Sequence, residues 1–596
     1  MTTYPKLWRE LLGLSLRRQR AYTVATLAAV VCSVLVVALC ALALREAVDA
    51  IVRGDTGRAI AAAAVAGIVY ALNLVLQDTA GILRVTTNDR LGRLELHPQV
   101  HRDLAKTEGL DHLERTDFLD RVSIVRSSTG HITMSMWNAV MALSNALKLL
   151  ITVLLLGSVS PWLALLLLFA AIPVWCDHRG QGVVRRVEVE TAEAYRLHQH
   201  LSELAVGASG GKELRVSGSA GQIVDRQAQA WRDAMGPRTR AQFVAAAWKL
   251  TGWLMFTAGF VGALALITHR AAHGHGTVGD LVLTVTIAAS LRQTVAGTVQ
   301  STTATAGSRR VLEPYLWLRR HLRGEADRST GSERPPARLT DGIVLSDVSY
   351  TYPGTDRRAL DGVTATLPAG AVIAVVGEYG SGKSTLVKLL GKFYRADSGT
   401  ITVDGRGLAE LDTEAWRARS TAAFQDFGRF RTTFARTVGL GDLPHVDDRE
   451  RIMRALEETD ATRLLASLPD GLDTQLGREL GGVDLSEGQW QRTALARAAM
   501  RTDPLLFVLD EPTASLDAPS EQAIFEQQMA RARKLGRTTG AVTVIVSHRF
   551  STVTGADKIL VLDKGRLVES GSHDELMRLG GRYAELYGLQ ATAYAD

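Results

Sequence analysis

The sequence predicts two parts of different class: a membrane α-helical bundle of six spans, then an α/β domain built around a phosphate-binding loop. Three observations carry that reading. Six apolar runs close to or above spanning length crowd into the first 306 of 596 residues. Residues 377–385 read Gly-Glu-Tyr-Gly-Ser-Gly-Lys-Ser-Thr, between an apolar strand-like run and a helical pattern. Leu485-Ser486-Glu487-Gly488-Gln489 follows about a hundred residues later.

Residues 1–20 read as an amphipathic elbow helix lying at the inner membrane surface. The membrane domain is expected over 21–320, with spans at about 21–44, 59–77, 132–157, 161–176, 244–267 and 281–306. Positive charge sets their direction. Lys6, Arg9, Arg17, Arg18 and Arg20 precede the first span against one acid, Glu10, so the N-terminus is expected in the cytoplasm. Segments 78–131 and 177–240 carry eight and ten Lys/Arg, while 45–58, 158–160 and 268–279 carry three, none and one. Long inner segments between spans predict helices that continue into the cytoplasm. This topology also accounts for much of the net charge of +6 and the pI near 9.2, so a nucleic-acid partner is not expected.

Single residues in this half carry less. Cys32, Cys40 and Cys176 lie in apolar stretches and read as small buried hydrophobes. Lys148 and Arg292 are ionisable groups within spans, hence functional candidates. His273 and His275 read as solvated loop residues, two ligands being too few for a metal site.

Charged, Pro-containing residues 321–339 are expected to be an exposed linker, and 340–596 the nucleotide-binding domain. Val372–Val376 reads as a buried strand and Leu386–Leu390 as a helix, the context that the glycine loop requires. Gly377, Gly380 and Gly382 let backbone N–H groups turn toward phosphate, with Glu378, Tyr379, Ser381 and Thr385 completing the loop. Lys383 is expected on the β- and γ-phosphates and Ser384 on Mg²⁺. A second apolar run ends in Asp510-Glu511, a third in Ser547-His548.

The loop and the Leu485–Gln489 motif, at this spacing, resemble the ATP-binding cassette (ABC) ATPases. The resemblance implies ATP and Mg²⁺ as ligands, with Asp510 and Gln425 joining Ser384 at the metal. Glu511 then polarises the attacking water and His548 contacts the γ-phosphate. It implies that Tyr352 stacks on adenine, that Gln425 links the metal site to the membrane half, and that Ser515-Leu516-Asp517 crosses a dimer interface. Glu479 matches the glutamate of an exporter-specific loop. Ser486, Gly488 and Gln489 start a helix that caps the ATP of the opposite subunit, so a dimer with twelve spans is implied. Intact Glu511 and His548 favour a homodimer; the competent half of a heterodimer has the same residues. Glu487 stands where glycine is usual, and Tyr379 where asparagine is frequent.

The membrane half is similar to the exporter-type ABC domain, with coupling segments around 112–120 and 211–216. The implied activity is ATP-driven efflux across the cell membrane, with ATPase domain and N-terminus in the cytoplasm. Cargo classes in such bacterial half-transporters include peptides, antibiotics or other secondary metabolites, and amphipathic drugs; lipid export fits the residues equally. An importer on the same scaffold and a membrane ATPase acting as a sensor are the alternatives.

Overall fold

The computed structural model describes residues 3–273, 277–328, 331–511, 518–547 and 553–593. Two compact units emerge: residues 1–102 with 122–317, and residues 103–121 with 318–596.

The first unit holds helices α1 (Thr3–Arg18), α2 (Arg20–Val52), α3 (Thr56–Asp89), α4 (Thr129–Val159), α5 (Leu166–Glu190), α6 (Ala220–Ala272) and α7 (Val278–Gly307). Six helices are long and apolar enough to cross a membrane. They outrun the apolar segments that announced them. Helix α6 has 53 residues, about 80 Å at 1.5 Å per residue, against a hydrocarbon core of about 30 Å. Helix α3 continues through a π-helical turn at Arg90–Leu96 to Ala105. Leucine and isoleucine side chains such as Leu35, Ile68, Leu143 and Leu154 stay exposed on the outer faces, as lipid contact requires. Helices α5 and α6 approach closely because small residues line their contact: a Cβ at Gly252 lies 2.8 Å from Pro173 Cα. The interior between α4, α5, α6 and α7 is filled by Leu156, Leu166, Phe256, Ile267, Leu283, Ile287 and Leu291.

Three expectations are corrected here. Cys32 is exposed, because its face of α2 turns away from the bundle; Cys176 is buried. Residues 321–328 are not linker but the end of helix α8 (Arg309–Arg328). Residues 103–121 leave the membrane bundle and belong to the second unit, through contacts that no hydropathy pattern records.

The second unit contains two sheets. Strands β1 (Gly342–Thr351), β2 (Arg358–Pro368), β4 (Ser398–Val403) and β5 (Arg406–Gly407) form an antiparallel sheet in the order β2-β1-β4-β5. The larger sheet runs β10-β9-β3-β8-β7-β6, using β3 (Val372–Val376), β6 (Ser420–Ala423), β7 (Leu506–Asp510), β8 (Val542–Val546), β9 (Lys558–Asp563) and β10 (Arg566–Gly571). Strands β6, β7, β8, β3 and β9 are parallel. Strands β3, β7 and β8 are buried along their whole length, which is why they read as uninterrupted apolar runs. Parallel sheets of this kind hold ligands beyond the carboxyl ends of their strands. The glycine loop leaves β3 there and enters helix α9 (Lys383–Leu390). A separate apolar cluster, with Phe434, Ile452 and Trp490, packs around helix α10 (Glu487–Ala499).

Candidate nucleotide site

The loop between β3 and α9 needs its glycines. Gly377 (φ +149°), Gly380 (φ +75°) and Gly382 (φ +104°) all have positive φ. A Cβ at Gly377 falls 2.1 Å from Leu562 O, and one at Gly382 falls 2.5 Å from Ala359 O. The glycines thus let the loop turn tightly into the N-terminus of α9, a position that favours an anion. Lys383 is buried beneath the loop, its Nζ donating to Gly377 O at 3.0 Å and Glu378 O at 2.9 Å. The Ser381 Oγ is buried without a hydrogen-bond partner. Glu378 pairs with Arg582, at the start of helix α11 (Arg582–Ala593), and Tyr379 is 95% exposed.

Carboxylates meet the loop from the neighbouring strand. Asp510, the last residue of β7, is buried, and its acidity is weakened to a pKa of about 6. Desolvation is the main cause, with the Glu511 and Asp426 charges adding to it; a hydrogen bond from Ser384 and the Lys383 ammonium oppose it. Burial in turn lowers the Lys383 pKa, against the pull of Glu511 and Asp510. Asp510 Oδ1 is buried with no hydrogen-bond partner. An unpartnered carboxylate oxygen beside the Ser384 hydroxyl suits a hard divalent cation such as Mg²⁺, and the unpartnered Ser381 hydroxyl close before the N-terminus of α9 suits phosphate. Glu511 has φ +49°, a conformation rare for a side chain of its size, with its N–H held by Val546 O at 3.0 Å. Its carbonyl accepts from Gln491 Nε2 of α10 at 3.3 Å. That fixed, strained backbone aims a carboxylate from the end of β7.

The remaining expected residues divide. Tyr352 hydrogen-bonds Thr385 through their hydroxyls (3.0 Å), packs against Tyr350 and Tyr394, and lies under the Lys388 ammonium, all on the flank of α9. Gln425 is exposed in the turn after β6. Ser486 caps α10: its side chain accepts from Gln489 N, and Gln489 Oε1 accepts from Ser486 N at 2.8 Å. Gly488 lies in that first turn. Among the described residues, no hydrogen bond or ion pair joins Ser486, Gly488 or Gln489 to the phosphate loop. The expectations for His548, Ser515, Leu516 and Asp517 fall outside the described residues, as does the side chain of Arg292.

The sequence profile of the ABC transporter family matches residues 360–514, from β2 through Glu511. That segment is an ABC ATPase domain. The ATP-dependent lipid A-core flippase of Burkholderia orbicola (strain AU 1054) is 41% identical over 260 residues, covering 44% of this chain and 42% of the relative. The protein of the same name from Pseudomonas fluorescens (strain Pf0-1) is 41% identical over 257 residues, covering 43% and 41%. The chain therefore matches less than half the length of these curated relatives. A bacterial Atm1-family ABC exporter, solved with ATP bound, matches in fold with a TM-score of 0.72 at 24% identity, covering 96% of this chain and 99% of that one. Six helices long and apolar enough to cross a membrane, followed by an ABC domain, thus share the fold of that exporter.

Within the ABC domain, several contacts were not visible in the sequence. Gln491 fixes the Glu511 carbonyl from 20 positions away. Glu487, unusual at its place, pairs with Arg429, and Glu479 pairs with Arg431. Acidic Glu487 also suits the first turn of α10. The departure at 487 was legible; its partner, 58 positions away, was not. Residues 108–114 pack on this domain too. Tyr350 Oη donates to Asp111 Oδ1 at 2.9 Å, Tyr394 donates to Glu114, Arg417 donates to Glu108 O at 2.5 Å, and Leu110 N–H donates to Phe393 O at 3.0 Å.

Proposed function

We propose that the chain is one half of an ATP-driven exporter of the cell membrane and works as a dimer. One observation carries the reading: Lys383, Ser384, Asp510 and Glu511 converge at the carboxyl ends of β3 and β7, in a chain that also holds six helices of spanning length. In this reading the loop from Gly377 to Thr385 binds the phosphates, Lys383 leaves its two loop carbonyls for the β- and γ-phosphate oxygens, and Tyr352 meets adenine. Ser384, Asp510 and Gln425 would hold Mg²⁺, which would neutralise charge developing on the phosphates. Glu511 orients the attacking water and takes its proton, and His548 supports it. Ser486, Gly488 and Gln489, which no described hydrogen bond or ion pair joins to their own loop, serve the ATP of a second copy, with Asp517 at that contact.

Residues 108–114 carry the motion between hydrolysis and membrane, since they dock on the domain that binds ATP. The relatives' printed cargo, lipid A-core, puts lipid-linked amphipaths beside peptides and drugs as cargo classes. A match that covers 42% of the first relative assigns none of them.

The test is ATP hydrolysis by the chain alone in nanodiscs, beside Glu511→Gln and a mass determination. We expect a dimer, ATP binding retained in the variant, and turnover lowered at least about a hundredfold. Turnover unchanged by Glu511→Gln removes the catalytic assignment. A monomer that hydrolyses ATP at full rate removes the dimer.

A further inference from the structure

The first unit holds a half-open cavity of about 790 Å³ between α2, α3, α4 and α7. Its volume is in the range of small-molecule sites. Its charge is one-sided. Arg84 of α3 and Lys148 and His131 of α4 line it, and none of the described lining residues is acidic. Arg84 Nε is buried without a hydrogen-bond partner, and no ion pair among the described residues involves Arg84 or Lys148. A cation in a span without a counter-ion is costly, and such residues mark the path of a ligand.

The rest of the wall is mixed. Asn138, Asn145 and Gln293 offer amides, while Met134 and Met141 offer adaptable apolar surface. A charged head next to apolar surface is the requirement of one ligand type, an amphipath.

We infer that this cavity binds amphipaths with an anionic head, a phosphate or carboxylate, held by Lys148 and Arg84. The inference deepens the exporter reading by naming the chemistry of its cargo, and rests on that reading for its role in transport. Binding itself is measured without ATP, so its failure and the failure of Glu511-dependent turnover are separate results.

The experiment uses the full chain in phosphatidylcholine nanodiscs, whose lipid has no net charge, without nucleotide. Fluorescently tagged dodecyl phosphate is compared with the equivalent dodecyltrimethylammonium. The phosphate should bind at least about tenfold more tightly. Lys148→Gln should weaken that preference, Lys148→Gln with Arg84→Gln should abolish it, and Lys148→Arg should keep it. Binding of a fluorescent ATP analogue checks that each variant is folded. Equal or tighter binding of the ammonium, or a preference that survives the double variant, overturns the proposal. Displacement of the probe by inorganic phosphate at matching concentration overturns the amphipathic part.

Discussion

Asp510 shows how a residue can serve the site at a cost to the fold. Its carboxyl titrates near 3.8 when unfolded and at about 6 in the folded, nucleotide-free chain. A raised carboxyl pKa means that the folded state binds more protons, so stability falls as pH rises between those values. Below about pH 4 both states are protonated and the penalty vanishes; above about pH 6 it is constant, about 3 kcal/mol. Asp510→Asn should therefore raise the thermal midpoint of the nucleotide-free, Mg²⁺-free ATPase domain at pH 8, less so at pH 5, and abolish Mg²⁺-dependent ATP binding. An equal gain at both pH values contradicts the buried-charge account. The phosphate-loop lysine and serine were legible because loop, strand and helix are contiguous in the chain. Gln491 and Arg429 were not, because their partners lie 20 and 58 positions away and ordinary helix or loop positions look the same in sequence.

At the scale of elements, hydropathy locates a helix only where it meets hydrocarbon. Helices α3 and α6 continue with polar faces that no apolar run announces, and residues 321–328 complete α8 although their composition reads as linker. The six spans and the ATPase strands were legible because both are apolar along their buried length. The resemblance placed a coupling segment around 112–120, but the contacts that dock residues 108–114 were not legible: they are hydroxyl-to-carboxylate pairs from Tyr350 to Asp111 and Tyr394 to Glu114, over 200 positions apart. Both tyrosine pKa values are pushed up, chiefly by burial and then by the neighbouring carboxylates, so the hydroxyls keep their protons across the physiological range. Tyr350→Phe with Tyr394→Phe removes the hydroxyl donors from half-buried Asp111 and from exposed Glu114, which keeps Lys388 at 3.6 Å, at about 0.5–1.5 kcal/mol per hydrogen bond. Amide exchange over residues 108–115 should rise at least tenfold, and cargo should no longer stimulate hydrolysis, while ATP still binds. Unchanged exchange means that Arg417 and the backbone contact to Phe393 hold the segment alone.

At the scale of the molecule, the deciding relation is between two parts of the ATPase domain that no hydrogen bond or ion pair joins among the described residues. The phosphate loop, with its unpartnered Ser381 hydroxyl and Asp510 oxygen, lacks a cover, and the capped N-terminus of α10 has no described bond to it. A helix N-terminus turned to an anion is favourable by backbone dipole alone. Two copies arranged head to tail satisfy both needs at once, each α10 closing the other's loop, a self-complementary twofold contact. Complementation tests this. Lys383→Ala disables a chain's loop, and Ser486→Arg disables its α10 N-terminus; either homodimer then has two broken sites. Pairing one chain of each kind puts both lesions in the same composite site and leaves the other site intact. Co-expressed and isolated as mixed dimers, the two variants should recover vanadate-dependent nucleotide trapping at one site per dimer, while each variant alone traps none. If loop and α10 of a single chain made the site, every site would contain one lesion and mixing would recover nothing.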